Sequence, residues 1–374
     1  MPEPFEIFLA APPGLEPLLR DEAAALGFPA PAAVPGGVTF AGGWPEVWRA
    51  NLHLRGASRV LARIAVFRAL HLAQLDKRAR RLPWAETLRP DVPVRVEATC
   101  HRSRIYHAGA ARQRIATAIA ETIGAPIVDE ATPDAVTLKA RIDDDLCTIS
   151  VDTSGEPLHR RGHKQEVNAA PLRETLAALF HRACGYTGAE PVLDPMCGSG
   201  TFVLEAAEIA SRLAPGRSRF FAHQRLASFD PAAWAALTAD ARPCATPLRF
   251  LGSDRDAGAV AMSRANAERA GVAAVTDFRQ AAISDLERPE GPPGLVIVNP
   301  PYGARLGASA DLRPLYAALG ATLQRRFAGW RVGLVTTDPA LAHATALPFG
   351  PPGPPVPHGP LKVRLWQTAA LPPA

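Results

Sequence analysis

The chain has 374 residues, 47% hydrophobic and 21% charged, and its 41 basic and 36 acidic side chains leave a net charge of +5. That length points to about two or three domains with ample core, and a mean hydropathy near zero excludes a disordered or membrane-embedded chain. No apolar run reaches the roughly 18 residues of a membrane span, and Met1-Pro-Glu-Pro-Phe5 lacks a basic region leading into an apolar stretch, so a soluble, cytoplasmic protein is expected.

The first 155 residues predict small α+β units. Phe5–Leu9 is a short apolar strand, and Leu15, Leu18, Leu19, Ala23 and Leu26 then recur at helical spacing until Gly27. Val38–Phe40 follows a Pro-Gly-Gly turn as a strand, and Trp44–Leu54 places Trp44, Val47, Trp48 and Asn51 on one helical face. Val60–Leu70 fits a strand or a helix, its β-branched residues favouring the strand. Val92–Thr99 alternates as a strand, Ala108–Ile123 has a helical period, and Val136–Ala140 pairs with Leu146–Val151 around the Asp143-Asp144-Asp145 turn.

Charge concentrates in this half. Residues 49–114 hold 15 basic and four acidic side chains, a net of +11. Such a density costs self-repulsion and points to a polyanionic partner. Lys77, Arg78, Arg80, Arg81, Arg102, Arg104, Arg112 and Arg114 are the candidate RNA-binding residues. The bland alternative is composition, since arginine outnumbers lysine 37 to 4.

From about residue 168 strands alternate with helices, the pattern of a doubly wound, mostly parallel α/β sheet. A helix over Leu172–Phe180 precedes the strand Pro191–Asp194. A Gly-rich turn then leads into a helix over Phe202–Leu213. Arg249–Asp254, Leu295–Asn299, Val332–Thr337 and Leu361–Trp366 are further strands, and Ala257–Ala270 and Leu312–Phe327 are helices. Residues 210–248 must be an insertion, and Pro348–Pro360 a rigid loop.

Three stretches carry chemistry. In Val192-Leu-Asp-Pro-Met-Cys-Gly-Ser-Gly-Thr-Phe202, a buried strand delivers Asp194, two glycines let the backbone approach a ligand, and a helix N-terminus points at the same spot. It matches neither G-x-G-x-x-G nor a Walker loop. Asp194, Pro195, Cys197, Gly198, Gly200 and Thr201 are the candidate cofactor residues here. The second is Gly252-Ser-Asp254, whose carboxylate suits two ribose hydroxyls or a helix cap; Asp256 is an equally good cap. The third is Asn299-Pro300-Pro301-Tyr302-Gly303 after the strand. Its prolines withdraw two donors and leave the Asn299 Oδ1 and the Pro300 carbonyl as acceptors for an aryl amine, while Tyr302 offers a ring for an extruded base. Five cysteines without a C-x-x-C pair, and histidines without paired spacing, predict neither a disulfide framework nor a metal site.

These stretches resemble class I S-adenosylmethionine-dependent methyltransferases acting on an amino nitrogen. With Asn168-Ala-Ala-Pro-Leu-Arg-Glu-Thr-Leu176 upstream, Asn299-Pro-Pro-Tyr-Gly-Ala-Arg-Leu-Gly307, and Leu315-Tyr316 and Gly329-Trp330 downstream, the chain is similar to the THUMP-domain guanine-N2 RNA methyltransferases. It most resembles the amino-terminal methyltransferase part of the bacterial large-subunit ribosomal RNA enzyme. The resemblance implies a ferredoxin-like unit over 1–60, a THUMP-like RNA-binding domain over 61–155, a linker at 156–164 and a Rossmann-like methyltransferase domain over 165–374. At this length no second catalytic domain, such as some relatives append, is expected.

The resemblance further implies that Asp194, Gly198 and Gly200 surround the methionine part of S-adenosylmethionine, Asp254 its ribose, and Asn299, Pro300 and Tyr302 the guanine amine. The family's usual carboxylate toward the adenine amine falls on Ala282, with Asp285 the nearest replacement. Cys197 packs in the loop, since direct transfer needs no covalent step. The expected activity is methylation of guanine N2 in 23S ribosomal RNA by a metal-free monomer. The alternatives are a transfer RNA guanine-N2 enzyme, an adenine-N6 nucleic-acid methyltransferase and an inactive RNA-binding module.

Overall fold

The computed structural model describes residues 4–130, 132, 134–165, 172–240, 243–302 and 311–373. Asn168–Pro171 and Gly303–Gly307 of the motifs quoted above lie outside the described residues. The chain divides into two compact units, Met1–Ala11 with Leu19–Leu158 and Arg219–Asp240, and Pro12–Leu18 with His159–Ser218 and Ala241–Ala374.

Along the first part run β1 (Phe5–Ala10), α1 (Glu16–Ala25), β2 (Ala32–Val34), β3 (Gly37–Gly42), α2 (Trp44–His53), β4 (Arg59–Arg68), α3 (Leu72–Ala79) and α4 (Trp84–Thr87). There follow β5 (Val94–His101), α5 (Ala108–Ile123), β6 (Val136–Asp143) and β7 (Leu146–Asp152). The seven strands form one sheet in the order β2-β3-β1-β4-β7-β6-β5. Only β5 and β6 run parallel; the other pairs are antiparallel. The expected join between two modules at 60/61 falls inside β4, where Leu61 pairs with Phe8 on one side and Asp152 on the other. One continuous sheet therefore carries both front modules. Ile7 and Leu9 alternate into its core, as a period of two requires. The tight turn between β6 and β7 uses Asp144 and Asp145 in the left-handed region (φ 51° and 61°), which a short polar side chain tolerates.

The second part contains α6 (Glu174–Ala183), β8 (Val192–Asp194) and α7 (Thr201–Ala210). After α8 (Pro231–Asp240), which belongs to the first unit, come β9 (Phe250–Asp254), α9 (Ala257–Ala270), β10 (Thr276–Gln280) and β11 (Leu295–Val298). The last elements are α10 (Arg313–Arg326), β12 (Arg331–Thr336), α11 (Pro339–Ala344), β13 (Val356–His358) and β14 (Leu361–Gln367). The sheet order is β10-β9-β8-β11-β12-β14-β13. The first five strands are parallel, while β14 runs antiparallel to β12 and to β13. Every residue of β8 and β11 is buried, which explains the unbroken apolar sequence of β11 and of Val192-Leu193 in β8.

Within residues 156–164, expected as a linker, Arg161 and His163 are buried, and Arg161 pairs with Glu205 at 2.7 Å and Glu208 at 3.4 Å. Arg219–Asp240, expected as an insertion within the second unit, packs into the first. There His223 lies 5.3 Å from Phe221 and 4.9 Å from Trp234, ring centre to ring centre, with Trp48 of α2 at 6.4 Å.

Candidate active site

The site lies where β8, β9 and β11 end. The chain leaves β8 toward β9 on one side and later returns as β11 on the other, a reversal that opens a crevice at the carboxyl ends of parallel strands. Asp194, the last residue of β8, is 3% exposed, and its Oδ1 accepts the Met196 N–H at 3.0 Å. Burial, reinforced by the nearby Asp254 charge, pushes its carboxyl up to about 8. Pro195 is buried behind it. Gly198 (φ 56°) and Gly200 (φ 84°) make the turn into α7, and a Cβ on Gly200 would lie 3.1 Å from the Ser263 Oγ.

Asp254 closes this turn. Its Oδ2 accepts the Gly198 N–H at 3.0 Å, and its Oδ1 accepts the Asp256 N–H at 3.0 Å. The helix cap falls to Asp256, which accepts the Gly258 N–H at 2.9 Å and leaves Asp254 at the crevice. Cys197 is buried, its Sγ 3.7 Å from the Ser263 Oγ, and burial beside Asp194 holds its thiol well above the usual range. A thiol kept protonated is no nucleophile, so its side chain packs.

Several supporting residues were not anticipated. Ser263 and Asn266, three apart on the buried face of α9, donate to the Gly198 carbonyl at 2.9 Å and the Ser199 carbonyl at 3.1 Å. Two buried polar residues on an otherwise apolar helix face are a signal for such a role. Lys164, within the supposed linker, donates to the Thr201 Oγ1 at 2.8 Å and the Leu172 carbonyl at 3.1 Å, and pairs with Glu174 at 3.1 Å.

Asn299 follows β11 directly. Its Oδ1 is buried and accepts no hydrogen bond among the described residues. An orphaned buried acceptor costs about 1–3 kcal/mol, and here it belongs to the residue expected to receive an amine. Pro300 is buried, and the Pro301 carbonyl accepts the Tyr316 hydroxyl of α10 at 3.2 Å. Tyr302 departs from expectation: it is 0% exposed, so its ring presents no open face for an extruded base.

Ala282 caps a single 3-10 turn, Ile283–Asp285, and is exposed. Asp285, also exposed, lines a cavity of about 470 Å³ with Leu251, Ser253, Asp277 and Arg279. Among the described residues, no group of three or more His, Cys, Asp or Glu side chains is arranged to hold a metal ion, and no helix is long and apolar enough to cross a membrane.

All eight candidate RNA-binding residues are exposed on the first unit. Three face carboxylates: Arg80 pairs with Asp76 at 2.8 Å and with Glu121, Arg112 with Asp129 at 2.8 Å, and Arg104 stands 3.9 Å from Asp145. Lys77, Arg78, Arg81, Arg102 and Arg114 form no ion pair among the described residues. Arg59 and Arg63 also find partners outside the basic stretch, in Asp152 and Glu6. The +11 of the linear window is thus partly neutralised by folding.

The parallel sheet with its antiparallel penultimate strand, the glycine turn and the Asn-Pro-Pro-Tyr corner define a Rossmann-like methyltransferase domain. Family models match the chain over 161–347 (RMKL-like, methyltransferase domain), 6–61 (RlmL ferredoxin-like domain) and 71–152 (THUMP domain). The chain belongs to the RMKL-like methyltransferase family. Ribosomal RNA large subunit methyltransferase K/L of Syntrophotalea carbinolica is 37% identical over 365 residues, covering 91% of this chain and 50% of that protein. The protein of the same name from Chromohalobacter salexigens is 36% identical, covering 92% and 50%. The chain spans about half the length of the curated relatives it matches. Among solved structures, a protein described as a predicted N6-adenine-specific DNA methylase from Listeria monocytogenes aligns with a TM-score of 0.87 at 29% identity, covering 98% of this chain and 97% of that one. SMU.472, solved with SAH, aligns with a TM-score of 0.87 at 26% identity, covering 99% of each.

Proposed function

We propose that the chain methylates the exocyclic N2 of a guanine in 23S ribosomal RNA, with S-adenosylmethionine as methyl donor. The observation that carries this is the buried Oδ1 of Asn299, directly after β11, which accepts no hydrogen bond among the described residues. The curated relatives' names supply the ribosomal RNA, and the SAH bound to SMU.472 supplies the cofactor class.

The residues present suit that cofactor. Gly198 and Gly200 keep the turn free of side chains, Pro195 and Thr201 flank it, Asp194 is a buried carboxylate fit for an ammonium, and Asp254 retains lone pairs for ribose hydroxyls. When bound, S-adenosylmethionine supplies an electrophilic methyl on a sulfonium. Asn299 and the Pro300 carbonyl accept the two N–H bonds of the amine and favour the pyramidal form whose lone pair can attack in line. The new N–C bond forms as the S–C bond breaks, and the amine's spare proton leaves to solvent. Positioning and desolvation carry the rate. The exposed cations of the first unit hold RNA phosphates, which offsets the few kcal/mol needed to extrude a base.

The RNA-binding role falls on the THUMP segment and the ferredoxin-like segment ahead of it, with the methyltransferase domain starting near residue 165. Replacement of Asn299 by Ala is expected to abolish transfer while calorimetry still records cofactor binding. Equal loss of both would refute the role given to Asn299.

A further inference from the structure

We infer that the β5–α5 corner of the first unit is a stacking platform for an unpaired RNA base, with Tyr106 as its flat surface and Arg102 and Arg104 as its phosphate clamps. The inference rests on the RNA substrate proposed above and adds what the cations alone do not give, a preference for single-stranded over duplex RNA.

Tyr106 is 85% exposed, more than any other large hydrophobic side chain described. It is nevertheless rigidly mounted. Ile105 before it is buried, and His107 after it caps α5 by accepting the Ala110 N–H at 3.0 Å. The corner is cross-braced to the β6–β7 turn. The Arg104 N–H donates to Asp145 Oδ1 at 2.8 Å, the Asp145 N–H to the Ser103 Oγ at 3.0 Å, and the Ser103 hydroxyl to the His101 carbonyl at 2.7 Å. Arg102 adopts φ +44°, as Asp144 and Asp145 adopt 51° and 61°. Arg102, a bulky side chain in the left-handed region, is strained there, and such strain persists where the surroundings over-determine it, often at sites of function.

A folded core gains nothing from this corner, because the ring it holds in place lies in water. Arg102 and Arg104 stand exposed on the same corner, and Arg102 forms no ion pair among the described residues. An exposed aromatic that follows two exposed arginines matches the π-face and phosphate of a splayed nucleotide. A duplex, whose bases are already stacked, has no face to offer. Val66, Leu70 and Leu146, also exposed at this end of the sheet, are the feature a protein partner would use instead.

The test uses the full chain, a single-stranded RNA octamer carrying one 2-aminopurine, and the same octamer in a duplex. Wild type should quench the 2-aminopurine on binding. Tyr106→Ala should lose the quench and about 5- to 100-fold in affinity for the single strand, the range expected of one stacked base. Tyr106→Phe should retain both, and duplex affinity should not change in either variant. Arg102→Ala should weaken single-strand binding and lower its salt dependence. Unchanged single-strand affinity in Tyr106→Ala, or equal loss with duplex, would overturn the platform. So would loss of a ribosomal protein contact with RNA binding intact. Cofactor calorimetry on the same variants separates this from the methyltransferase reading, whose failure would show as no cofactor binding in wild type.

Discussion

Gly198 donates its backbone N–H to the carboxylate of Asp254 at 3.0 Å, across 56 residues of sequence. The bond ties the glycine turn after β8 to the end of β9, so the residue expected to hold the ribose also fixes the loop around the methionine. Asp254→Ala should therefore weaken S-adenosylmethionine binding by roughly 10- to 100-fold, since a hydrogen bond to a charged group contributes about 1.5–3 kcal/mol. Asp254→Asn should recover part of it by keeping one acceptor. Isothermal calorimetry reads both; unaltered affinity in the alanine variant would remove Asp254 from the site.

Burial, and then the Asp254 charge, pushes the carboxyl of Asp194 up to about 8. A carboxyl whose folded pKa exceeds its unfolded value of about 4 favours the fold at low pH and disfavours it increasingly as pH rises toward 8. Asp194→Asn should therefore be more stable than wild type above pH 4, the gap widening to several kcal/mol near pH 8 and then levelling. Denaturant melts at pH 5, 7 and 9 measure this. The same variant should lose cofactor affinity, and wild-type affinity should rise with pH up to about 8 as the carboxylate forms. A flat stability difference across that range would contradict the assignment.

Tyr316 reaches from α10 to the Pro301 carbonyl at 3.2 Å and to the Thr336 Oγ1 at 3.4 Å, steadying the turn that presents Asn299. Tyr316→Phe removes only the hydroxyl. It should lower kcat about tenfold while leaving cofactor affinity and RNA KM near wild type, because a displaced acceptor costs rate before it costs binding. A fall in stability with unchanged kcat would make the hydroxyl a packing feature alone.

Beneath α7, Arg161 contacts Glu205 and Glu208, while Glu208 also receives His163 at 2.9 Å and Arg217 at 2.8 Å. Burial alone would raise the Glu208 carboxyl, but the bond from His163 and the charges of Arg217 and Arg161 hold it well below its usual range. Arg161→Ala leaves two buried carboxylates short of a counter-charge and should cost about 3–5 kcal/mol. Arg161→Met keeps the bulk and should cost nearly as much. Thermal melts decide, and a loss under 1 kcal/mol would make the network incidental.

Much of this was legible in the sequence because it is local. The strands ending in Asp194, Asp254 and Asn299 are short apolar runs bounded by turn residues, and Ala108–Ile123 matches α5 end to end because Gly124 stops it in the left-handed region. What escaped is long-range or polar. β10 reads Thr-Asp-Phe-Arg-Gln, an edge strand with one buried residue and no alternation to detect. Nothing local reveals that His223 and Phe229 pack against the distant Trp48 of α2. The burial of Tyr302 likewise depends on what folds over it, and the role of Lys164 on its distance from Thr201.

The central claim is tested most directly by incubating the purified chain with S-adenosylmethionine and unmodified 23S ribosomal RNA, then digesting the RNA for nucleoside mass spectrometry. N2-methylguanosine should appear with wild type and not with Asn299→Ala. N6-methyladenosine in its place, or methylation of transfer RNA with 23S RNA untouched, would contradict it.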